Sequence, residues 1–425
     1  MRKTPKSLRL HIGLFGRTNV GKSSFLNMVS AQDVAITSSL PGTTTDVVEK
    51  TMELLPLGPV VFLDTAGLDD TSALSGPRIK KSKKVFDASD IFVLIIEPEV
   101  WGEYENLVLE EAAARETPCV IVINKIDMVY PGDGFIRTIR EKTRRIILCS
   151  SIDRVNRGSY LNALKKEFIE VCPEDFFRPP PLVSDLLPAG GTAVLIVPID
   201  LEAPKGRLIL PQVQVIRDIL DNDAMAIVVK EREYKQALDN LKRFPDICIC
   251  DSQVVLKMVT DTPKQVECTT FSIIFSRYKG DLIETVRGVV AIETLKPGDK
   301  VLIAEACSHH PIGEDIGRVK IPRWLRQYLG MDLIIDVCAG KDYPENLNLK
   351  EYKLIIHCGG CMITRRQMLF RIQRAKEAGV PVTNYGVCIS FLQGVLERVL
   401  SPFPAANEVF REEMRLREYF KTKAI

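Results

Sequence analysis

The stretch Gly16-Arg17-Thr18-Asn19-Val20-Gly21-Lys22-Ser23 constrains this chain more than any other, because a G-x-x-x-x-G-K-S run works only as the turn between a strand and a helix. Both neighbours are present: Leu8 to Phe15 is apolar and strand-sized, and a helix is expected over Ser24 to Ser30. In such a turn, backbone N–H groups and the positive end of the helix dipole receive phosphate oxygens. Lys22 then neutralises the β and γ oxygens, and Ser23 coordinates magnesium. Gly16, Asn19, Val20, Gly21, Lys22, Ser23 and Ser24 are therefore the expected phosphate-binding residues.

Three more motifs follow in a fixed order. Asp64-Thr65-Ala66-Gly67 closes the apolar strand Val60 to Leu63, where Asp64 can hold magnesium through water and Gly67 can offer its N–H to the γ-phosphate. The strand Val120 to Ile123 ends in Asn124-Lys125-Ile126-Asp127. A carboxylate at Asp127 accepts hydrogen bonds from guanine N1 and N2, which adenine cannot supply, so the reader is specific for GTP. Ser150-Ser151, after the strand Arg145 to Cys149, completes the base-side loops. These four motifs predict a P-loop GTPase domain over 1–172, and the alternation of strand-like and helix-like runs beyond it makes the whole an α/β fold with two smaller α/β domains of mainly parallel sheets to follow.

The motif set resembles the TrmE and Era group of GTPases. That resemblance makes Pro41-Gly42-Thr43-Thr44-Thr45-Asp46 switch I, with Thr44 as a second magnesium ligand beside Ser23. It also implies a potassium ion held by Asn19, Ser38, Leu40 and Thr43. The residue after Gly67 is Leu68, so the glutamine of Ras-like enzymes is missing. Potassium-stimulated hydrolysis, with the ion placed like an arginine finger, is what the resemblance implies, and Lys22, Thr44, Asp64 and Gly67 are the expected catalytic set. The basic run Lys80, Lys81, Lys83 and Lys84 is read as a solvated helix face.

At 425 residues the chain exceeds one ordinary core, and about three domains are expected. Lys+Arg 57 against Asp+Glu 55 leaves a net +2, which excludes a globally basic surface for nucleic acid or anionic membrane. Apolar runs such as Ile91 to Ile96 are strand-sized, well short of a membrane span. Eleven cysteines is an odd number, and Met1 to Leu10 lacks a signal-peptide core, so reduced thiols in a cytoplasmic protein are expected.

Pro179-Pro180-Pro181 marks the first linker. Beyond it Val194 to Ile199, Ala226 to Val229 and Asp246 to Cys250 read as strands, separated by helices over Pro211 to Leu220 and Arg232 to Arg243. This small βαβαβ sheet over 182–262 has edges suited to pairing with its copy, so a homodimer is expected. Thr260 to Val266 is the next expected seam. The third domain, 266–425, opens with helices at Thr269 to Tyr278 and Asp281 to Leu295. Strands follow at Lys300 to Ala304, Asp332 to Val337, Tyr352 to Ile356 and Val380 to Tyr385, with helices at Ile321 to Leu329, Arg365 to Ala378 and Ile389 to Leu400.

In that third domain three of the four histidines, His309, His310 and His357, lie within three residues of a cysteine, in Cys307-Ser308-His309-His310 and His357-Cys358-Gly359-Gly360-Cys361. Each limb follows an apolar strand, at the end where parallel sheets bind ligands. Thiolate and imidazole are ligands for zinc or an iron-sulfur cluster. Cys307, His309, Cys358 and Cys361 could close a tetrahedral zinc site; three thiolates on a cluster are the other reading, favoured by Arg365 and Arg366 in the first turn of a helix starting near Thr364. Cys248 and Cys250 read as core, and Cys338 and Cys388 follow or abut apolar runs, where either could approach the site without being a ligand.

Taken whole, the chain resembles the HydF family, the GTPase maturation factors of FeFe hydrogenases. The loop Asn19-Val20-Gly21-Lys22-Ser23 and the two cysteine-histidine limbs carry the resemblance, which spans all three domains. It implies a 4Fe-4S cluster on Cys307, Cys358 and Cys361 with an exchangeable fourth position, taken by His309, His357 or an outside group. It further implies a scaffold that receives the di-iron H-cluster precursor, with radical SAM hydrogenase maturases and apo FeFe-hydrogenase as partners. A different class is an RNA-associated GTPase of tRNA modification or ribosome assembly with a structural zinc site. The near-neutral charge and the lack of a basic Gly-x-x-Gly loop count against it, so no nucleic acid or membrane partner is expected.

Overall fold

The computed structural model describes residues 8–30, 36–37, 48–64, 84–173, 176, 180–198, 208–306, 315–340, 343 and 347–423. The chain divides into two compact units, Met1–Pro179 and Pro180–Ile425.

The first unit is one sheet with helices on both faces. Its strands are β1 Leu10–Phe15, β2 Ile36–Thr37, β3 Val48–Leu54, β4 Gly58–Asp64, β5 Ile91–Ile96, β6 Cys119–Ile123 and β7 Ile146–Leu148, in the order β2-β3-β4-β1-β5-β6-β7. β2 with β3 and β3 with β4 are antiparallel; the other pairs are parallel. The helices are α1 Lys22–Ser30, α2 Glu103–Ala114, α3 Asp133–Lys142 and α4 Arg157–Val171. Every residue of β5 is buried, as a strand covered on both faces must be, which is why its sequence is continuously apolar. Leu10, Ile12 and Leu14 pack with Phe25 and Leu26 on one face, and Phe15 stacks on Phe86 at 4.5 Å on the other. β1 lies between β4 and β5, so the turn that leaves its carboxyl end opens at the centre of the sheet.

The second unit holds two sheets. β8 Thr192–Ile196, β9 Met225–Val229, β10 Ile247–Cys250 and β11 Glu267–Thr270 run in the order β11-β10-β8-β9. β12 Lys300–Glu305, β13 Ile334–Ala339, β14 Leu354–His357 and β15 Val382–Asn384 run in the order β13-β12-β14-β15. All pairs in both sheets are parallel. The helices are α5 Leu210–Asp221, α6 Tyr234–Asp239, α7 Val255–Asp261, α8 Phe271–Lys279, α9 Leu282–Val289, α10 Ile321–Leu329, α11 Arg365–Glu377, α12 Tyr385–Leu392, α13 Leu396–Val399 and α14 Pro404–Lys423. One apolar core runs from Val194 and Ile249 through Phe275, Val286 and Ile389 to Ile303 and Ile356. A smaller one, with Leu302, Ile355, Met368 and Ile372, covers the other face of the second sheet. Among the described residues no helix is long and apolar enough to cross a membrane.

The α/β class and the order of the elements are as the sequence predicts, with four local corrections. Glu267–Thr270 is a fourth strand of the first sheet, parallel to β10, and lies past the seam expected at Thr260 to Val266. The helix expected from Thr269 begins instead at Phe271, because Thr270 is its cap and accepts a hydrogen bond from Ile273 N at 3.2 Å. The helix expected over Arg232 to Arg243 shortens to Tyr234–Asp239. The helix expected over Ile389 to Leu400 is two, α12 and α13, interrupted at Gly394 with φ +69°.

Candidate functional sites

The turn after β1 is shaped by its two glycines. Gly16 has φ +151° and Gly21 φ +95°. A Cβ on Gly16 would lie 2.4 Å from the Ile95 carbonyl oxygen, and one on Gly21 2.4 Å from Asn124 Nδ2, so neither position accepts a side chain. Lys22 is buried, and its ammonium donates to the carbonyl oxygens of Gly16 (2.6 Å) and Arg17 (2.9 Å), which fixes it over the loop. Val20 is buried, whereas Asn19, Ser23 and Ser24 are exposed. Asn19 sits at φ +65°, a conformation asparagine tolerates better than most residues.

Asn124 links this turn to the base-side loops. Its side chain, 1% exposed, donates from Nδ2 to Val20 O (2.8 Å) and accepts at Oδ1 from Ser151 N (3.0 Å) and Ser151 Oγ (2.8 Å). Ser150 Oγ donates to Asp127 Oδ1 at 2.5 Å, holding a carboxylate that is otherwise exposed. Lys125 is paired with Glu97. Asp64 is buried at the end of β4, opposite Leu14 of β1. The structure thus brings together Gly16, Asn19, Val20, Gly21, Lys22, Asn124, Ser150 and Ser151. Ser38, Leu40, Thr43, Thr44, Gly67 and Leu68 lie outside the described residues, as do Lys80, Lys81 and Lys83.

Sequence reasoning missed the support behind the turn. Gly16 N donates to Tyr104 Oη (3.2 Å), and Arg17 forms a two-pronged pair with Glu105, at 2.8 and 2.7 Å. Glu105 is 1% exposed, also accepts from Gly102 N (2.8 Å), and raises the pKa of Arg17 through its hydrogen bond. The readable signal was Gly102-x-x-Glu105, a helix-start spacing that places a carboxylate in the first turn of α2.

The second site is built on two adjoining strand ends. β12 and β14 pair in parallel with Ala304 opposite His357, so the segment leading to Cys307 and the segment bearing Cys358 leave the sheet side by side. Cys358 N donates to Ala304 O (2.9 Å), and Ala306 N donates to Cys358 Sγ (3.0 Å). The turn between Cys358 and Cys361 requires Gly360, at φ +61°, where a Cβ would lie 2.3 Å from Met368 Cε. Cys307, His309 and His310 lie outside the described residues. Among the described residues no three His, Cys, Asp or Glu side chains converge as a metal-binding group.

His357 is fully buried and hydrogen-bonded at both ring nitrogens: Nδ1 to Cys358 O (2.9 Å) and Nε2 to Arg371 Nη1 (2.8 Å). With Nδ1 donating to the carbonyl and Nε2 accepting from the guanidinium, the ring is neutral, and burial followed by the Arg371 charge takes its pKa down to about 3. Lys279, 1% exposed at the end of α8, donates to the carbonyl oxygens of Gly360 (3.1 Å), Cys361 (3.1 Å) and Ile363 (2.8 Å). Burial draws its pKa down to about 8, against the opposing pull of Cys361 and Cys358. The Cys358 thiol is raised by burial, while N–H groups of Gly360 and Ala306 act the other way. Arg365 donates to Tyr278 O (2.6 Å), and Arg371 reaches His357. Arg371 stands in the buried stripe Met368, Arg371, Ile372, Ala375 of α11, and a guanidinium in an apolar stripe was the signal available in the sequence.

These residues fit a cluster. Two thiols share one glycine turn, an N–H points at one sulfur, and the Nε of buried Arg371 has no hydrogen-bond partner among the described residues, all of which suit an anionic group at the cysteines. Cys248, Cys250 and Cys388 are buried away in the core, and Cys338 is buried against the smaller core.

The phosphate turn, the buried asparagine bridge and the sheet around them define a P-loop GTPase domain. A family profile described as 50S ribosome-binding GTPase matches residues 11–125. Profiles described as the hydrogen maturase F dimerization domain and the hydrogen maturase F tetramerization domain match 182–280 and 283–402. The chain belongs to the hydrogen maturase F (HydF) family. The tRNA modification GTPase MnmE of Synechococcus sp. (strain JA-3-3Ab) is 40% identical over 126 residues, 29% of this chain and 26% of that protein. GTPase Era of Thermoanaerobacter sp. (strain X514) is 31% identical over 169 residues, 38% of this chain and 54% of that protein. The chain therefore spans about a quarter to half the length of these curated relatives. Among solved structures, the G domain of the T. maritima FeoB iron transporter is 21% identical with a TM-score of 0.31, covering 38% of this chain and 98% of that one.

Proposed function

We propose that the chain hydrolyses GTP and serves as a 4Fe-4S scaffold and carrier, taking up the di-iron H-cluster precursor and delivering it to apo FeFe-hydrogenase. Cys307, Cys358 and Cys361 would hold the cluster, which when bound supplies an iron with an exchangeable position for the cargo. The observation that carries this reading is the Ala306 N–H on Cys358 Sγ at 3.0 Å, which brings the residue just before Cys307 against the sulfur of the other limb. His309, His357 or an outside group would take the fourth position; the hydrogen bonds at both ring nitrogens of His357 support a role for it in orienting the turn. On the nucleotide side Ser23 and Thr44 would hold magnesium, Asp64 would act through its water, and Asn19, Ser38, Leu40 and Thr43 would place potassium. Asp127 selects guanine.

The same reading includes self-association. β9 and β13 are edge strands with exposed apolar residues, Met225 (54%) and Val228 (44%) on one and Ile334 (47%) and Val337 (40%) on the other. Edges of this kind call for cover, and we assign it to further copies of this chain.

The test is iron, sulfide and zinc content of anaerobically prepared protein beside its Cys358→Ser variant. Four irons per chain, lost in the variant while GTP hydrolysis stays near normal, is the expected result. Stoichiometric zinc without iron would favour the RNA-associated class instead.

A further inference from the structure

Burying a charge without an opposite charge costs several kcal/mol, so folded proteins pair such groups or place them beside an ionic ligand. Two cations break that pattern at the cysteine turn. Lys279 and Arg371 are 1% and 4% exposed, and among the described residues neither has a carboxylate partner. The lysine ammonium spends its donors on three carbonyls, those of Gly360 and Cys361 in the turn and of Ile363 just after it. The guanidinium donates to His357 Nε2 and Gly340 O (2.6 Å), leaves Nε without a partner, and stacks over Tyr343 at 4.9 Å. Lys279 comes from α8 and Arg371 from α11, so two different helices deliver buried positive charge, one to the turn's carbonyls and one to His357 beside it. By contrast Glu105 and Glu305, the buried carboxylates with assigned pairs, face Arg17 and Arg318.

We infer that Lys279 and Arg371 are positioning residues whose paired positive charges balance the anionic cluster on the cysteine turn and set its reduction potential. This rests on the scaffold reading above. A buried cation favours the more negative, reduced state of whatever it faces, so each charge holds the potential up. The loop geometry follows from the same contacts: the ammonium ties the Gly360-Cys361 end of the turn to Ile363 just beyond it, and the guanidinium orients His357.

The test compares anaerobically reconstituted wild-type protein with Lys279→Gln and Arg371→Gln, and with the charge-keeping Lys279→Arg and Arg371→Lys. Iron per chain and a redox titration followed by electron paramagnetic resonance are read on each. Removing either charge should lower the reduced-to-oxidised ratio about tenfold at a fixed applied potential, which for a one-electron couple is a shift of about 59 mV to more negative potential. The charge-keeping variants should stay near wild type. Loss of iron in both Gln variants with retention in Lys279→Arg and Arg371→Lys supports the charge role as well. Fully loaded Gln variants with an unshifted potential overturn it, as does iron loss in the charge-keeping variants, since shape alone would then matter. Wild-type protein that binds no iron would defeat the scaffold reading itself, an outcome distinct from any of these.

Discussion

Replacing Asn124 with alanine tests the central claim about the nucleotide site, that one buried amide holds the phosphate turn and the base-side loops in register. The side chain is 1% exposed and makes three hydrogen bonds, to Val20 O, Ser151 N and Ser151 Oγ. Each such bond contributes a net of about 0.5–1.5 kcal/mol, and a backbone group stranded without a partner costs about 1–3 kcal/mol. Ser151 is half-buried, so its hydroxyl and N–H can turn to water, but the Val20 carbonyl lies inside the turn. The sum is about 2–4 kcal/mol lost from the first unit. Because the turn must hold its shape to receive phosphates, part of that loss falls on binding, and GDP affinity should drop at least about tenfold, or about 1.4 kcal/mol. Urea unfolding with and without nucleotide, and titration with a fluorescent GDP analogue, measure the two quantities. A variant within about 0.5 kcal/mol of wild type in stability and unchanged in GDP affinity would refute the bridging role.

Asp127→Asn should move nucleotide preference from GTP toward xanthosine triphosphate, since the amide donates where the carboxylate accepted; unchanged GTP turnover would remove Asp127 from base reading. Exchanging potassium for sodium should slow hydrolysis if Asn19 and the switch I residues place the ion, and equal rates would count against that placement. Lys in place of both Met225 and Val228 should shift the protein toward smaller species in sedimentation, and an unaltered distribution would exclude β9 as an interface.

The P-loop GTPase was legible from local motifs because each one is a backbone requirement written in residue type. Glycine is dictated at 16 and 21 by positive φ and by Ile95 and Asn124 pressing on the turn. The continuous apolar runs at β5 and β6 likewise announced buried parallel strands, and the cysteine limbs were visible as clustered ligand types. Strand Glu267–Thr270 was harder to see, since Cys268, Thr269 and Thr270 suit either a strand or the approach to a helix until β10 supplies its hydrogen bonds.

What the chain order alone could not decide was which charges gather around the sulfurs. Arg365 and Arg366 are nearest to the turn in sequence, but Arg371, further along the same helix, and Lys279, from a helix before the second sheet begins, are also drawn in, the first to His357 and the second to the turn's carbonyls. Motifs set by neighbouring residues can be read along the chain because φ, hydrogen bonding and ligand type are local. Counter-charges act through space, and only the packing of α8 and α11 against the ends of β12 and β14 determines where they fall.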